Sequence, residues 1–243
     1  MDERYVQSGD ASLWTCAQGD GPPVVLCNGG PGCCDYLGPV AELLANRYTV
    51  VRFEERGCGR SSFTPPYDFG QSVLDLDAIR TAYGFDEWTV IGHSAGADLA
   101  LLHALRLPKH TTSIIGLAGG RIVNDRSWSD AYKAARDAEG EPLPEQPLAC
   151  DERVNPESNA WWRRFITEPA LLARLSRLGV PAHFILAEHD IRPAWPTLQL
   201  AKLLPAGSAE VITGARHLIW LDEPEQLGTA MHRVLDSLGG QTP

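Results

Sequence analysis

What is missing from this chain narrows its function first. No apolar run reaches the length of a membrane span, and Met1-Asp2-Glu3-Arg4-Tyr5 has neither the basic nor the apolar region of a signal peptide. The expectation is a soluble, cytoplasmic protein with no membrane partner. Positive charge is scarce. The formal net charge is −10 and the pI about 5.1, which argues against nucleic acid and anionic lipid as partners. No C-x-x-C occurs among the six cysteines (Cys16, Cys27, Cys33, Cys34, Cys58 and Cys150), and their only close pair is vicinal. Neither a metal site nor a disulfide framework is expected, and a reducing compartment is the simpler setting. Internal repeats, low-complexity tracts and heptads are absent as well. What remains is 243 residues of ordinary globular composition, 44% hydrophobic and 21% charged, enough for one α/β domain with a full core.

The stretch Val90 to Ala100 organises this chain. Trp88 to Ile91 reads as a buried strand and Ala97 to Leu107 as a helix rich in Ala and Leu. Between them lies Gly92-His93-Ser94-Ala95-Gly96, a G-x-S-x-G match at a strand-to-helix turn. Such a turn lifts the serine out of the sheet. The glycines let strand and helix approach closely, and the helix N-terminal amides face any negative charge that develops nearby. Ser94 is the candidate nucleophile.

Around this turn the chain alternates strands and helices. Residues 4–19 read as an antiparallel edge hairpin turning at Gly9-Asp10. Val24 to Cys27, Tyr48 to Phe53, Ser113 to Leu117, Ala182 to Ala187 and Glu210 to Thr213 read as further strands. Residues 36–45, 70–83, 171–178, 197–204 and 223–238 read as helices. The pattern predicts a parallel sheet with helices on both faces. Residues 121–168 break it, with Pro142, Pro144, Pro147 and Pro156 and the aromatics Trp128, Tyr132, Trp161, Trp162 and Phe165. They are predicted as a small cap over the carboxyl edge of the sheet, with 1–120 and 169–243 as the core. The cap aromatics read either as a satellite core or, for Trp128, Trp161 and Trp162, as substrate contacts. The tail Gln241-Thr242-Pro243 reads as disordered.

A serine hydroxyl needs a base within reach, and the base needs an orienting acid. Asp190 follows the strand ending at Ala187, and His217 follows the last strand, so both are placed at the sheet edge that carries Ser94. The order Ser94, Asp190, His217 is the one this architecture uses. Glu188 and Asp125 are the competing acids. His93, in the tight turn, should point its side chain elsewhere; His189 should project away from Asp190; His103, His110, His183 and His232 read as structural or solvated. An oxyanion needs preorganised donors, usually backbone amides. Ala95 supplies one. Asn28-Gly29-Gly30-Pro31-Gly32, a strand end dense in Gly and Pro, supplies the other, with Gly30 as the choice.

These residues resemble the α/β-hydrolase superfamily over nearly the whole chain, and within it the proline iminopeptidase branch. That branch carries His-Gly-Gly-Pro-Gly after one strand and Asp-Gln-Arg-Gly-x-Gly-x-Ser after the next. Here the counterparts are Asn28-Gly29-Gly30-Pro31-Gly32 and Glu54-Glu55-Arg56-Gly57-Cys58-Gly59-Arg60-Ser61. The stretch Gly214-Ala215-Arg216-His217 through Glu223-Pro224-Glu225 is similar to the family's His-bearing loop. The resemblance implies a mostly parallel eight-stranded sheet flanked by helices, a Ser94–His217–Asp190 triad, and no metal or organic cofactor. Departures are Asn28 for the family's histidine, Ala95 where iminopeptidases usually have tryptophan, and a short cap. Glu157 is the candidate for holding a substrate amine, while Arg163 and Arg164 favour an acidic substrate if they face it. The function expected is hydrolysis of a small-molecule ester, lactone, thioester or aminoacyl amide through an acyl-enzyme. Two alternatives stay open: acyl transfer, cyclisation or C–C cleavage on the same residues, and a ligand-binding protein on the hydrolase fold. Cys33, Cys34 and Cys58, in or beside the glycine loops, read as inert packing or as thiols lining the pocket mouth.

Overall fold

A computed structural model describes residues 1–123, 125–141 and 143–239. The tail Gln241-Thr242-Pro243 and the insertion's Pro142 lie outside the described residues. The hairpin is β1 (Asp2–Ser8) and β2 (Ala11–Gln18), followed by β3 (Pro23–Cys27), α1 (Gly38–Leu44), β4 (Thr49–Phe53) and α2 (Phe69–Ala82). Next come β5 (Trp88–His93), α3 (Ala95–Arg106) and β6 (Thr111–Leu117). Residues 121–168 hold α4 (Arg126–Glu139) and α5 (Val154–Phe165). The chain closes with α6 (Leu171–Leu175), β7 (Ala182–Ala187), α7 (Trp195–Leu203), β8 (Gly207–Ile212), α8 (Ile219–Asp222) and α9 (Pro224–Gly239). The predicted helix over 223–238 is α9, and a separate short helix, α8, precedes it and ends before Pro224.

The strands form one eight-stranded sheet in the order β1-β2-β4-β3-β5-β6-β7-β8. β1 and β2 pair antiparallel, β2 meets β4 antiparallel, and every pairing from β4 to β8 is parallel. The central strands β3, β5 and β6 are buried on both faces, as packing between two helix layers requires, while the edge strand β8 is partly exposed. Val25, Val90 and Ile114 face a layer built from α2, α3, α5 and α7. Leu26, Ile91 and Ile115 face the opposite layer of α1, α8 and α9. Because β4 lies on one side of β3 and β5 on the other, strand order reverses at β3. The loops after β3 and β5 therefore splay apart and leave a crevice at the sheet's carboxyl edge.

The insertion is anchored differently from the expectation. Trp162 and Phe165 of α5 are buried in the main core beside Phe69 rather than in a satellite cluster. The buried positions of α5 are Val154, Ser158, Trp162 and Phe165, an i, i+4, i+8, i+11 stripe that presents one face to the core. Ser158 Oγ donates to Tyr67 O at 3.0 Å and fixes the helix against the segment before α2.

Candidate active site

The candidate centre starts from the turn between β5 and α3. Ser94 has φ 54° and ψ −119°, a sparsely populated region for a residue with a Cβ. The strain is held by close packing that only glycine allows. A Cβ on Gly92 would lie 2.0 Å from Gly96 O, and one on Gly96 would lie 2.2 Å from Cys27 O. β5 and α3 are thereby pressed together, and the serine is pushed out at the crest. Ser94 Oγ makes no hydrogen bond among the described residues; in unliganded sites such contacts commonly tighten only on binding.

His217 and Asp190 meet beyond the ends of β8 and β7. His217 Nδ1 donates to Asp190 Oδ2 at 2.7 Å, which leaves Nε2 as the lone-pair nitrogen. Burial lowers the His217 pKa; the Asp190 hydrogen bond opposes this and the Arg192 charge reinforces it, so the imidazole is neutral at pH 7. For Asp190, burial pushes the carboxyl up, but the hydrogen bond and charge of His217, with Arg192, outweigh it and hold the pKa below the usual value. Arg192 clamps Asp190 Oδ1 through its backbone N–H at 3.0 Å and its guanidinium at 3.1 Å. The competing acids are engaged elsewhere. Glu188 accepts from Gly214 N–H at 2.8 Å, and Asp125 caps α4 through Trp128 N–H at 2.8 Å. His189 lies exposed beside Glu188.

His93 engages Tyr36 and the His217 backbone rather than Ser94. Its ring turns under the His217 loop, with ring centroids 4.6 Å apart, and packs edge-on against Trp220 at 4.8 Å. Burial holds the Tyr36 phenol well above its usual pKa, so it keeps its proton. It accepts from Gly29 N–H at 2.5 Å and donates to His93 Nδ1 at 2.7 Å. His93 Nε2–H then donates to His217 O at 3.1 Å. One chain of hydrogen bonds joins the loop after β3, the serine turn and the histidine loop. Sequence reading missed Tyr36 and Trp220, since neither sits in a motif and their partners are distant in the chain.

Gly30, Ser94, Ala95 and Asp190 line one cavity of about 190 Å³. Gly29 N–H is occupied by Tyr36, whereas the Gly30 and Ala95 amides make no hydrogen bond among the described residues. Trp128 and Trp162 also line the cavity; Trp161 and Glu157 do not. Glu157 is exposed, and Trp161 lies off the buried stripe of α5, stacked on Phe165. Helical phase separates Trp161 from Trp162, a signal present in the sequence but not used. Arg163 and Arg164 are exposed too. Cys33, Cys34 and Cys58 do not line the cavity. Sequence reading missed Arg121, Tyr132, Glu141 and Arg192. Arg192 pairs with Glu141, and Tyr132 Oη donates to Glu141 Oε2 at 2.6 Å, which ties the insertion to the Asp190 loop. Among the described residues no cluster of His, Cys, Asp and Glu has the arrangement of a metal site.

A doubly wound sheet with a strained serine between strand and helix at its carboxyl edge defines a hydrolase architecture. The chain belongs to the alpha/beta hydrolase fold family, whose pattern it matches over residues 22–203. It is 36% identical over 107 residues to a proline iminopeptidase of Xylella fastidiosa (strain 9a5c), a match covering 41% of this chain and 33% of that protein. It is 26% identical over 247 residues to a putative carbamate hydrolase RutD of Escherichia coli O9:H4 (strain HS), covering 90% of this chain and 93% of that one. Among solved structures it is similar to E-2-(acetamidomethylene)succinate hydrolase, with TM-score 0.78, 17% identity and 97% and 99% of the two chains covered. A malate-bound esterase of Thermogutta terrifontis superposes with TM-score 0.79 at 17% identity, covering 98% of this chain and 99% of that one.

Proposed function

We propose that this protein is a serine hydrolase acting on a small carbonyl substrate through an acyl-enzyme. The observation that carries the reading is the hydrogen-bonded His217–Asp190 pair at the sheet edge where Ser94 opens onto the cavity. Ser94 Oγ attacks the carbonyl while His217 Nε2 takes its proton. Asp190 holds the imidazole and stabilises its positive charge. The amides of Gly30 and Ala95 receive the oxyanion. His217 returns the proton to the leaving group, and water then repeats the sequence on the acyl-enzyme.

A cavity of about 190 Å³ favours a small acyl group, whether ester, lactone, thioester, carbamate or aminoacyl amide. Residues 121–168 act as a cap over it, with 1–120 and 169–243 as the catalytic core. Trp128 and Trp162 contact the substrate. Arg121 favours a substrate bearing a carboxylate. Its guanidinium carbon lies 3.8 Å from the Trp128 ring centroid, and its nearest acid on the cavity wall is Asp98, which accepts from the Arg121 backbone N–H at 2.9 Å. Among the described residues no helix is long and apolar enough to cross a membrane; the acidic charge fits a cytoplasmic site of action.

The test compares proline anilide, a neutral nitrophenyl ester and a nitrophenyl ester ending in a carboxylate, using wild type and Ser94→Ala. We expect ester turnover that falls by about 10⁴-fold or more in the variant. The carboxylate-bearing ester should lose roughly 10- to 100-fold in kcat/KM in Arg121→Ala, with the neutral ester unaffected. Absence of Ser94-dependent turnover together with absence of fluorophosphonate labelling would leave a binding protein on this fold.

A further inference from the structure

Away from the cavity, thiols from three distant segments converge where the insertion crosses the core. Residues 146–151 run as a strap over the loops after β3 and β4. Cys34 N–H donates to Gln146 Oε1 at 2.7 Å, and the Cys34 thiol donates to Leu148 O at 3.0 Å. Gly59 N–H donates to Ala149 O at 2.9 Å, and Asp151 N–H to Gly57 O at 2.7 Å. These last two bonds flank Cys58 and Cys150, which form an isolated antiparallel bridge. They are therefore a non-hydrogen-bonded pair, the register in which Cα atoms stand ~4.5 Å apart, within the span of a disulfide. On the other side, Cys34 Sγ lies 3.8 Å from Cys150 Sγ. All of these thiols are free.

The three differ in reactivity. Cys34 and Cys58 are buried, while Cys150 is half-buried and accessible to solvent. The Cys58 thiol draws the Cys150 pKa below the usual thiol range; burial and Glu54 oppose this, and the Cys34 thiol and the Gly59 amide reinforce it. Burial holds Cys34 up at about 11. Cys150 is thus the most accessible of the three and the one whose thiolate form is favoured, while burial keeps the Cys34 proton in place.

We propose that Cys150, with Cys58 and Cys34 as its resolving thiols, is a peroxide-oxidisable site that staples the insertion to the core. The Cys150 thiolate attacks one oxygen of a hydroperoxide. The O–O bond breaks, the leaving hydroxide takes a proton to become water, and Cys150 becomes a sulfenic acid. The neighbouring thiol attacks the Cys150 sulfur; the S–O bond breaks, and the hydroxyl leaves as water with the thiol's proton. Two thiols lose two electrons and one hydrogen peroxide becomes two waters. A dithiol reverses the step. The strap runs into α5, whose Asn155 Nδ2 donates to Pro31 O at 2.8 Å beside Gly30. Stapling therefore fixes the insertion where it touches the glycine loop of the site.

The experiment treats the full chain with hydrogen peroxide at near-equimolar ratio, alkylates the remaining thiols and maps peptides by mass. The expected result is loss of two of the six thiols, reversal by dithiothreitol, and a linked peptide pairing Cys150 with Cys58 or Cys34. The melting temperature should rise on the order of 5–10 °C on oxidation. Cys58→Ser should redirect the link to Cys34, Cys34→Ser should leave it on Cys58, and Cys150→Ser should abolish it. A Cys33–Cys34 link, over-oxidation of Cys150 without cross-linking, or unchanged thiol loss in Cys150→Ser would overturn the proposal. Should Cys150→Ser fail to fold, the wild-type peptide map decides alone.

Discussion

Arg192 links three functions in one side chain. It holds Asp190 Oδ1, pairs with Glu141 of the insertion, and places positive charge near His217. With burial and that charge both lowering the His217 pKa, the acid limb of kcat/KM should titrate below the ordinary histidine value of 6.5. Removing the cation relieves the repulsion of the imidazolium, so in Arg192→Ala the limb should move up in pH, and a pH–rate profile checks it. A limb that moves down would contradict the assigned field. Tyr36→Phe removes the acceptor for Gly29 N–H and the donor to buried His93. It should cost about 1–3 kcal/mol in urea unfolding, since it strands two buried polar groups. Neither Tyr36 nor Arg192 was legible in the sequence, because no motif marks them and the partners His93 and Glu141 lie in segments that only the fold brings near.

Among the elements, the serine turn is the most sterically constrained. Gly96→Ala forces a Cβ against Cys27 O, which is backbone of the neighbouring strand and cannot swing aside. Soluble yield should collapse or stability fall by more than about 3 kcal/mol, against a much smaller effect for Gly84→Ala, where φ is positive, unlike at Gly96, but nothing stands within 4 Å. The turn was legible because G-x-S-x-G states its requirement locally. The insertion was only half legible. Its proline and charge content marked it as a break in the alternation, but its anchoring on the main core through Trp162 and Phe165 depends on where α5 lands. Cutting its second tether with Glu141→Gln should raise KM for the esters more than it lowers kcat, as steady-state kinetics would report, because the variant loosens the Arg192 and Tyr132 contacts without touching the serine.

For the molecule as a whole, Glu55 sets a pH dependence of stability. Burial pushes its carboxyl from 4.5 up to about 8, with the Asp75 charge adding to it. Between those two pH values the folded state holds a proton that the unfolded state has released. Stability therefore falls as pH rises through that window. Glu55→Gln keeps the neutral shape and removes the titration. Its melting temperature should decline less between pH 6 and pH 9 than that of wild type, and an unchanged slope would assign the loss to other groups.

The sequence by itself determined the alternation of strands and helices, the serine turn, and the placement of Ser94, Asp190 and His217 at strand ends. These follow from local propensity, from apolar periodicity, and from the rule that loops after parallel strands share one edge. Tertiary structure alone decided the rest. It turned His93 under the histidine loop, swung Glu157 and Trp161 away from the cavity, and brought Arg121, Arg192 and Glu141 toward it. It also gathered Cys34, Cys58 and Cys150 from segments far apart in the chain. Local chemistry fixes what a residue is able to do; which partner it meets depends on packing between elements, and no short-range pattern encodes that.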